Sequence, residues 1–167
     1  MTMSTSLLTD GFERISELVH TTVEGLTPEQ LRTQIAPDAN SIGWLLWHLT
    51  RIQDDHIATV AGDEQLWISA GWCERFGLPF DPKATGYGQS SDDAAAVQGI
   101  DSGQLSGYFD AVHERTLRFI AGAGDADLEQ VIDTRWDPPV TLAARLVSVI
   151  SDDLQHVGQA AFIRGLL

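Results

Sequence analysis

The sequence is poor in cysteine and in basic residues. Its 167 residues include one cysteine, Cys73, and ten lysines and arginines against 24 aspartates and glutamates, which gives a net charge of −14. A single cysteine cannot form an internal disulfide, which fits a reducing compartment. An acidic surface repels phosphate backbones and anionic lipids, so we expect neither nucleic acid nor membrane as a partner.

Long hydrophobic runs and a basic N-terminal leader are also missing. No stretch approaches the roughly 18 apolar residues that a membrane-spanning helix needs. Asp10, Glu13 and Arg14 interrupt the first apolar residues before they reach the length of a signal peptide. We therefore expect a soluble, cytoplasmic protein. Hydrophobic residues make up 43% of the chain and charged residues 20%, so we expect one domain with a buried core, spanning residues 1–167.

Four segments show the helical periodicity of apolar residues: about 6–25, 41–61, 102–121 and 140–165. No comparable segment shows the period of two that is typical of strands. Helices with one apolar face must pack against one another to bury that face. The sequence therefore predicts an all-α four-helix bundle, with a long crossover connection between the second and third long helices.

Capping residues mark several of the predicted helix ends. Ser41 can cap the second long helix, which Gly62 ends, and the spacing 101–104 forms a capping box before the third. A further box at 27–30, with Pro28 at the first helical position, predicts a short helix of about two turns.

The predicted crossover spans about 40 residues and contains too many glycines and prolines for a continuous helix. Loops of this length inside compact domains are usually functional or disordered. We expect the first half to be ordered against the bundle and residues 90–93 to be mobile. The apolar side chains available for docking are Trp67, Trp72, Phe76 and Phe80.

Three side chains on two predicted helices have the chemistry of metal ligands. Asp152 and His156 are four residues apart, so on a helix they project from adjacent turns of one face. His48 lies at the flank of the apolar stripe of another helix, and bundles build metal sites from ligands on facing helices. An ordinary acid–imidazole pair on a solvated face is the alternative for the first two residues, and a hydrogen-bonded core histidine is the alternative for His48. Asp153 competes with Asp152 as the carboxylate ligand.

The remaining candidates have weaker patterns. His56 lies about 12 Å beyond His48 along a helix, so it belongs either to the core or to a pocket as an acid–base group. His113 adjoins charged residues and is expected to be solvated, and His20 has no predicted role. Cys73 lies among aromatic residues, where a lone cysteine is either a buried small hydrophobe or a thiol near the site.

Two segments resemble the DinB-like superfamily of metal-binding four-helix bundles, which includes YfiT-type proteins and the mycothiol-dependent maleylpyruvate isomerases. They are Ser41-Ile42-Gly43-Trp44-Leu45-Leu46-Trp47-His48-Leu49 and Asp152-Asp153-Leu154-Gln155-His156-Val157-Gly158-Gln159. By this resemblance His48, Asp152 and His156 occupy the three metal-ligand positions. The sequence departs from the family pattern at Asp152, where histidine or glutamate is usual. The resemblance also implies homodimers and transfer chemistry on low-molecular-weight thiols such as mycothiol.

These observations predict a metal-dependent enzyme acting on a small-molecule substrate. A divalent ion, zinc or nickel foremost although iron and manganese also suit the ligands, would hold a thiol as thiolate or a water as hydroxide. Arg51 and Arg145 are candidates for binding a carboxylate-bearing cofactor, although the pattern by itself favours solvation at the surface for each. The rival hypotheses are a non-catalytic bundle that binds metal or a ligand for structure or sensing, and a metal-free hydrogen-bonded triad.

Overall fold

The structure is a computed structural model that describes residues 2–167. In chain order its helices are α1 (Met3–Val23), α2 (Pro28–Leu31), α3 (Ile42–Ala61), α4 (Leu66–Ser69), α5 (Trp72–Phe76), α6 (Ser91–Ala95), α7 (Ser102–Gly122), α8 (Asp125–Leu128) and α9 (Leu142–Arg164). Two short strands, β1 (Val131–Asp133) and β2 (Val140–Thr141), lie between α8 and α9. The four long helices begin and end within three residues of the predicted positions. The predicted all-α class is confirmed.

The long helices form the bundle. α3 packs against α9 and α7, and α1 packs against the same two helices, so α1 and α3 lie diagonally opposite each other. Their apolar faces meet in one core whose fully buried members include Phe12, Leu46, Phe109 and Leu146. Every long helix contributes one of these four residues, as the apolar periodicity predicted.

Side-chain caps fix the starts of these helices. Ser41 Oγ accepts a hydrogen bond from the backbone N–H of Trp44 at 3.2 Å, and α3 ends at Gly62, which has a left-handed φ of 71°. The capping boxes at 27–30 and 101–104 are present as predicted. The helix after the first box has one turn, α2, because the chain leaves the helical conformation after Arg32.

The crossover between α3 and α7 lies against the bundle and contains α4, α5 and α6. Trp67 and Phe76 are buried in the core, and Trp72 and Phe80 pack against it, as expected for the apolar side chains of this segment. The segment 90–93, for which we expected mobility, instead begins α6: Ser90 and Asp93 form a capping box. Their reciprocal bonds satisfy backbone groups that an irregular loop would leave to water.

The sequence predicted no strands, and this prediction was wrong for one small region. β1 and β2 pair in antiparallel orientation, with Val131 opposite Thr141 and Asp133 opposite Val140. Strands of three and two residues are too short to display an alternating pattern. The β1–β2 hairpin lies beside the start of α9 and places Asp133 near the bundle. Within residues 2–167, no helix has the length and hydropathy needed to cross a membrane.

Candidate metal centre

Two long helices bring together the three side chains predicted as metal ligands. α3 supplies His48, α9 supplies Asp152 and His156, and one ligand atom of each residue lies within 4.8 Å of the others. Asp152 Oδ1 is 3.6 Å from His156 Nε2. The imidazole rings of His48 and His156 meet edge to face, with centroids 4.8 Å apart and an interplanar angle of 76°. We call these three residues the His-Asp-His cluster.

Hydrogen bonds at Nδ1 orient both imidazoles. His48 Nδ1 lies 2.6 Å from the carbonyl oxygen of Thr85, in the crossover. A carbonyl oxygen can only accept, so Nδ1 carries the proton and Nε2 keeps its lone pair. His156 Nδ1 lies 3.3 Å from Oε1 of Gln159, one turn along α9, with the same consequence. Histidine ligands of metals are typically held in this way, by an acceptor on the second ring nitrogen.

The indole ring of Trp44 covers one side of the cluster. Trp44, one turn before His48, stacks on its imidazole with a centroid separation of 4.6 Å and an interplanar angle of 17°. The indole N–H of Trp44 donates to Gln89 Oε1 at 2.8 Å, and this bond joins Trp44 to the crossover. The stacking fixes the ring plane of His48 and excludes water from one of its faces.

Burial and charge set the protonation states of the cluster. Burial lowers the pKa of His48, against the opposing effect of its bond to Thr85, so the imidazole is neutral at neutral pH. The side-chain contact with Asp152 raises the pKa of His156. Burial alone would raise the pKa of Asp152, but contact with His156 and the charges of the neighbouring histidines outweigh it and lower the pKa. The cluster therefore offers a neutral imidazole and a carboxylate, both suited to a cation.

The donor set fits a divalent ion. Asp152 Oδ2 is buried, and among residues 2–167 it has no hydrogen-bond partner, so its lone pairs remain free. Tetrahedral zinc with bonds of about 2.1 Å needs its ligand atoms about 3.4 Å apart, so a contraction of less than about 1.5 Å would close the site. Three protein ligands leave a coordination position open, as in catalytic zinc sites. Solvent reaches the cluster on one side, since the side chains of Asp152 and His156 are 37% and 19% exposed.

Asp153 lies outside the cluster. It is fully buried on the interior face of α9, and neither carboxylate oxygen has a hydrogen-bond partner within the described part of the chain. Burial, with a further contribution from the charge of Asp152, raises its pKa well above the usual range. The geometry therefore favours Asp152 over Asp153 as the carboxylate beside the two histidines.

Comparison with known proteins identifies the family. The mycothiol-S-transferase family profile matches residues 7–167. The chain belongs to the mycothiol-S-transferase family. This family is DinB/YfiT-like, so the resemblance found in the sequence is confirmed. The crystal structure of a conserved protein from Enterococcus faecalis is similar to this chain, with a TM-score of 0.92 and 32% identity over 99% of this chain and 97% of that chain. No curated protein matches the chain.

The two arginines predicted to bind a cofactor occupy different environments in this mycothiol-S-transferase family member. Arg51 is fully buried, and its guanidinium donates to the carbonyl oxygen of Ala84 at 3.1 Å and to Gln65 Oε1 at 2.7 Å. Solvation, the predicted alternative, was wrong for Arg51, and a cofactor could reach it only if the crossover moved. Arg145 is 19% exposed and donates to His56 Nδ1 at 2.9 Å.

The other histidines and the cysteine stand apart from the cluster. His56 is half-buried and lines a separate pocket with Arg145. The prediction of a solvated His113 was wrong: its side chain is 11% exposed, stacks on Phe109 and faces α1. His20 pairs with Asp110 at the surface. Cys73 is half-buried, and burial raises the pKa of its thiol, which fits a packing role.

Sequence reasoning missed the residues that hold the histidines. Thr85 acts through its backbone carbonyl, which any residue would provide, so only the fold reveals it. Gly86 follows it with a φ of +96°, and a Cβ there would lie 2.5 Å from His48 Nδ1. The glycines of the crossover indicated that it is not a continuous helix, but they did not indicate this contact. Gln159, at three residues from His156 on α9, could have been found by its helical spacing.

Proposed function

We propose that this protein is a metal-dependent thiol S-transferase that joins a low-molecular-weight thiol, such as mycothiol, to a small electrophilic substrate. The observation that carries the proposal is the His-Asp-His cluster, in which both imidazoles keep Nε2 free and the Asp152 side chain has an oxygen, Oδ2, with no hydrogen-bond partner within residues 2–167. The family name supports a thiol as one reactant. A divalent ion, with zinc and nickel as the first choices, fits this donor set.

Different residues of the site would bind the ion and orient its ligands. His48, Asp152 and His156 would hold the ion, which when bound acts as a Lewis acid that lowers the pKa of a thiol. The backbone of Thr85 and the amide of Gln159 keep both imidazoles in the tautomer that binds cations.

The transfer forms a bond between the thiol sulfur and an electrophilic carbon. The thiol proton passes to solvent, and the leaving group departs with the electron pair of its broken bond. Trp44 shields one face of the site from water, which would otherwise compete as the nucleophile.

The partial exposure of the cluster supports an enzyme over a structural metal site. Structural zinc is usually closed by four protein ligands, whereas here three side chains converge and solvent reaches two of them. The Asp152–His156 contact of 3.6 Å is longer than a hydrogen bond, which weakens the alternative of a metal-free hydrogen-bonded triad. A non-catalytic role in structure or sensing remains the rival, and it predicts metal binding without turnover.

The substitution His48→Ala tests the proposal. We expect it to abolish both the bound metal, quantified by elemental analysis of protein purified without added metal, and thiol transfer to an electrophile such as monobromobimane. His20→Ala is the matched control because His20 lies at the surface, bonded to Asp110, and it should change neither quantity. Unchanged metal stoichiometry in His48→Ala would refute the ligand assignment, and metal binding without transfer by the unaltered protein would favour the non-catalytic rival.

We include a homodimer in the proposal on the strength of the DinB-like resemblance alone. Light scattering coupled to size-exclusion chromatography measures the mass directly, and a particle of 18.2 kDa would remove the dimer from the proposal.

A further inference from the structure

The interface between α3 and α9 extends beyond the His-Asp-His cluster. The two helices run antiparallel, because His48 faces His156 whereas His56, later in α3, meets Arg145, earlier in α9. His56 lies eight residues beyond His48, and Arg145 lies seven residues before Asp152. At 1.5 Å per residue, these separations are about 12 Å and about 10 Å along the helix axes.

A cavity lies at this end of the α3–α9 interface. Its volume is about 360 Å³, and it is lined by His56, Thr59, Val60, Ile132, Asp133, Arg135 and Arg145. We call it the arginine pocket. Residues from α3, α9 and the β1–β2 hairpin contribute to it, so the fold assembles the pocket from three separate parts of the chain.

Hydrogen bonds connect the polar side chains of the arginine pocket in a chain. Arg145 donates from Nη1 to His56 Nδ1 at 2.9 Å and from Nη2 to Asp133 Oδ2 at 3.3 Å. Arg135 donates to the same carboxylate from Nε at 2.9 Å and from Nη2 at 2.8 Å. Asp133 is thereby held between two guanidinium groups and fixes the position of both.

The bond from Arg145 also sets the state of His56. Because a guanidinium can only donate, His56 Nδ1 must accept, so Nε2 carries the proton and remains a donor. Burial, followed by the charge of Arg145, lowers the pKa of His56, which keeps its imidazole neutral near pH 7. The hydrogen-bonded groups of the polar chain therefore carry the charge of two arginines less one aspartate, a net charge of +1, and the carboxylates of Asp55 and Asp152 lie near enough to act on His56.

This positive charge is unusual in a protein with a net charge of −14. One unit of positive charge matches a monoanion such as a carboxylate, whereas a phosphate dianion would remain partly uncompensated. Guanidinium groups bind carboxylates with paired, charge-assisted hydrogen bonds. Val60 and Ile132 supply an apolar border against which a short hydrocarbon chain could pack.

We propose that the arginine pocket binds the carboxylate of an organic acid, carried by one of the two small molecules that react at the His-Asp-His cluster. The inference rests on the proposed function only in saying that the bound molecule is a reactant. Binding of the carboxylate does not depend on it. The carboxylate and the reacting atom of such a molecule are separated by about 10 to 12 Å, the distance between pocket and cluster along the helices. The ligand could be either the thiol or the electrophile, and both present the same chemistry to the pocket.

Binding of hexanoate to metal-free protein tests the pocket separately from catalysis. Hexanamide is the matched neutral probe, and the imidazole resonances of His56, followed by NMR, report where either probe binds. We expect hexanoate to shift the His56 resonances and hexanamide to leave them unchanged. Equal binding of the two probes, or shifts confined to His48 and His156, would overturn the proposal, and so would tighter binding of inorganic phosphate than of hexanoate.

Two substitutions locate the charge that recognises the carboxylate. Arg145→Gln should weaken hexanoate binding by about tenfold or more, the loss expected for one charged hydrogen-bond partner. Arg135→Gln should weaken it as well and is the safer variant for folding, because the Arg135 side chain is 83% exposed. The control is Arg14→Gln, which removes an arginine that is also largely exposed, at 69%, and is paired through Nε and Nη2 with Asp10. Equal effects of Arg135→Gln and Arg14→Gln would overturn the proposal.

A second pair of probes identifies which reactant carries the carboxylate. If it is the thiol, an ω-mercaptoalkanoate long enough to span about 10 Å should bind metal-loaded protein about tenfold more tightly than the matching ω-mercaptoalkanol, and only when Arg145 is present. If it is the electrophile, the two thiols bind equally and hexanoate still binds in their presence. Unchanged metal in His48→Ala would overturn the ligand assignment and leave the arginine pocket standing, whereas no hexanoate binding by unaltered protein that binds metal would overturn the pocket alone.

Discussion

His48 Nδ1 and the carbonyl oxygen of Thr85, which are 37 residues apart in the chain, lie 2.6 Å apart in the structure. This hydrogen bond ties a ligand on α3 to the crossover, so the conformation of the crossover determines how His48 faces the cluster. Loss of an acceptor of this kind typically reduces metal affinity by 10–100-fold, roughly, in other proteins. The crossover should therefore control metal binding although the predicted ligands all lie on the long helices.

Gly86→Ala should test this control most directly. Gly86 has a φ of +96°, and a Cβ there would lie 2.5 Å from His48 Nδ1 and 3.1 Å from Trp47 Cζ3. The methyl group must displace either the imidazole or the loop that carries Thr85. We expect metal affinity, measured by competition with a chromophoric chelator, to fall about tenfold or more.

Gly88→Ala is the matched control for that measurement. Gly88 also has a positive φ, of +73°, but the part of the chain that the structure describes has no atom within 4 Å of the position of its Cβ. It shares the backbone strain without the clash. Similar metal affinities of the two variants would show that strain in the loop, rather than the approach to His48, causes any loss.

Arg51 on α3 should stabilise the same crossover through its hydrogen bonds. Its guanidinium bonds to Ala84 and Gln65 and lies 3.9 Å from the buried carboxylate of Asp54. Arg51→Met keeps much of the side-chain volume but removes one of the two guanidinium groups beside Asp54, the other being that of Arg115 at 3.9 Å. Breaking one side of a buried ion pair costs about 3–5 kcal/mol, and we expect urea unfolding to show a loss of that order.

A surface arginine provides the comparison for Arg51. Arg118 is paired with Glu114 one turn away, and both side chains are largely exposed. Arg118→Met should cost less than about 1 kcal/mol, because exposed ion pairs contribute little. An equally small effect of Arg51→Met would mean that Asp54 is satisfied by its remaining partners, which are the backbone N–H groups of Leu66 and Trp67, the hydroxyl of Tyr108 and the guanidinium of Arg115.

The regular parts of this fold could be predicted because their causes are local. Apolar periodicity and the caps at Ser41 and 101–104 act within a few residues, and they located the long helices correctly. The β1–β2 hairpin was missed because its strands are recognised by the pairing of their backbones and not by an alternating pattern of apolar residues.

The same division applies to the candidate site. The convergence of His48, Asp152 and His156 could be predicted because Asp152 and His156 have helical spacing and because bundles place ligands on facing helices, as α3 and α9 are. The acceptor for His48 is a backbone carbonyl, and the burial of Arg51 depends on carbonyl oxygens in the crossover. Such partners carry no side-chain signature, so they become visible only when the crossover is folded.

Asp153 makes the stability of the metal-free protein depend on pH. Its carboxyl group is fully buried, with neither oxygen hydrogen-bonded within residues 2–167, and burial raises its pKa well above the value of 3.8 expected in the unfolded chain. A raised pKa in the folded state means that the folded protein binds this proton more tightly than the unfolded chain does. Its stabilising contribution is therefore complete below about pH 4 and is lost as the pH rises towards the folded pKa.

Asp153→Asn should remove this dependence because asparagine has nearly the same shape and does not ionise in this range. One proton contributes a slope of at most about 1.4 kcal/mol per pH unit. We expect the free energy of unfolding of the metal-free variant, measured by urea titration from pH 5 to 8, to fall less steeply with pH and to exceed that of the unaltered protein at pH 8. Asp63→Asn, at an exposed position after α3, should leave the slope unchanged. If the Asp153 variant kept the original slope, the carboxyl group would have to be ionised inside the bundle, and a partner for it would have to enter the core.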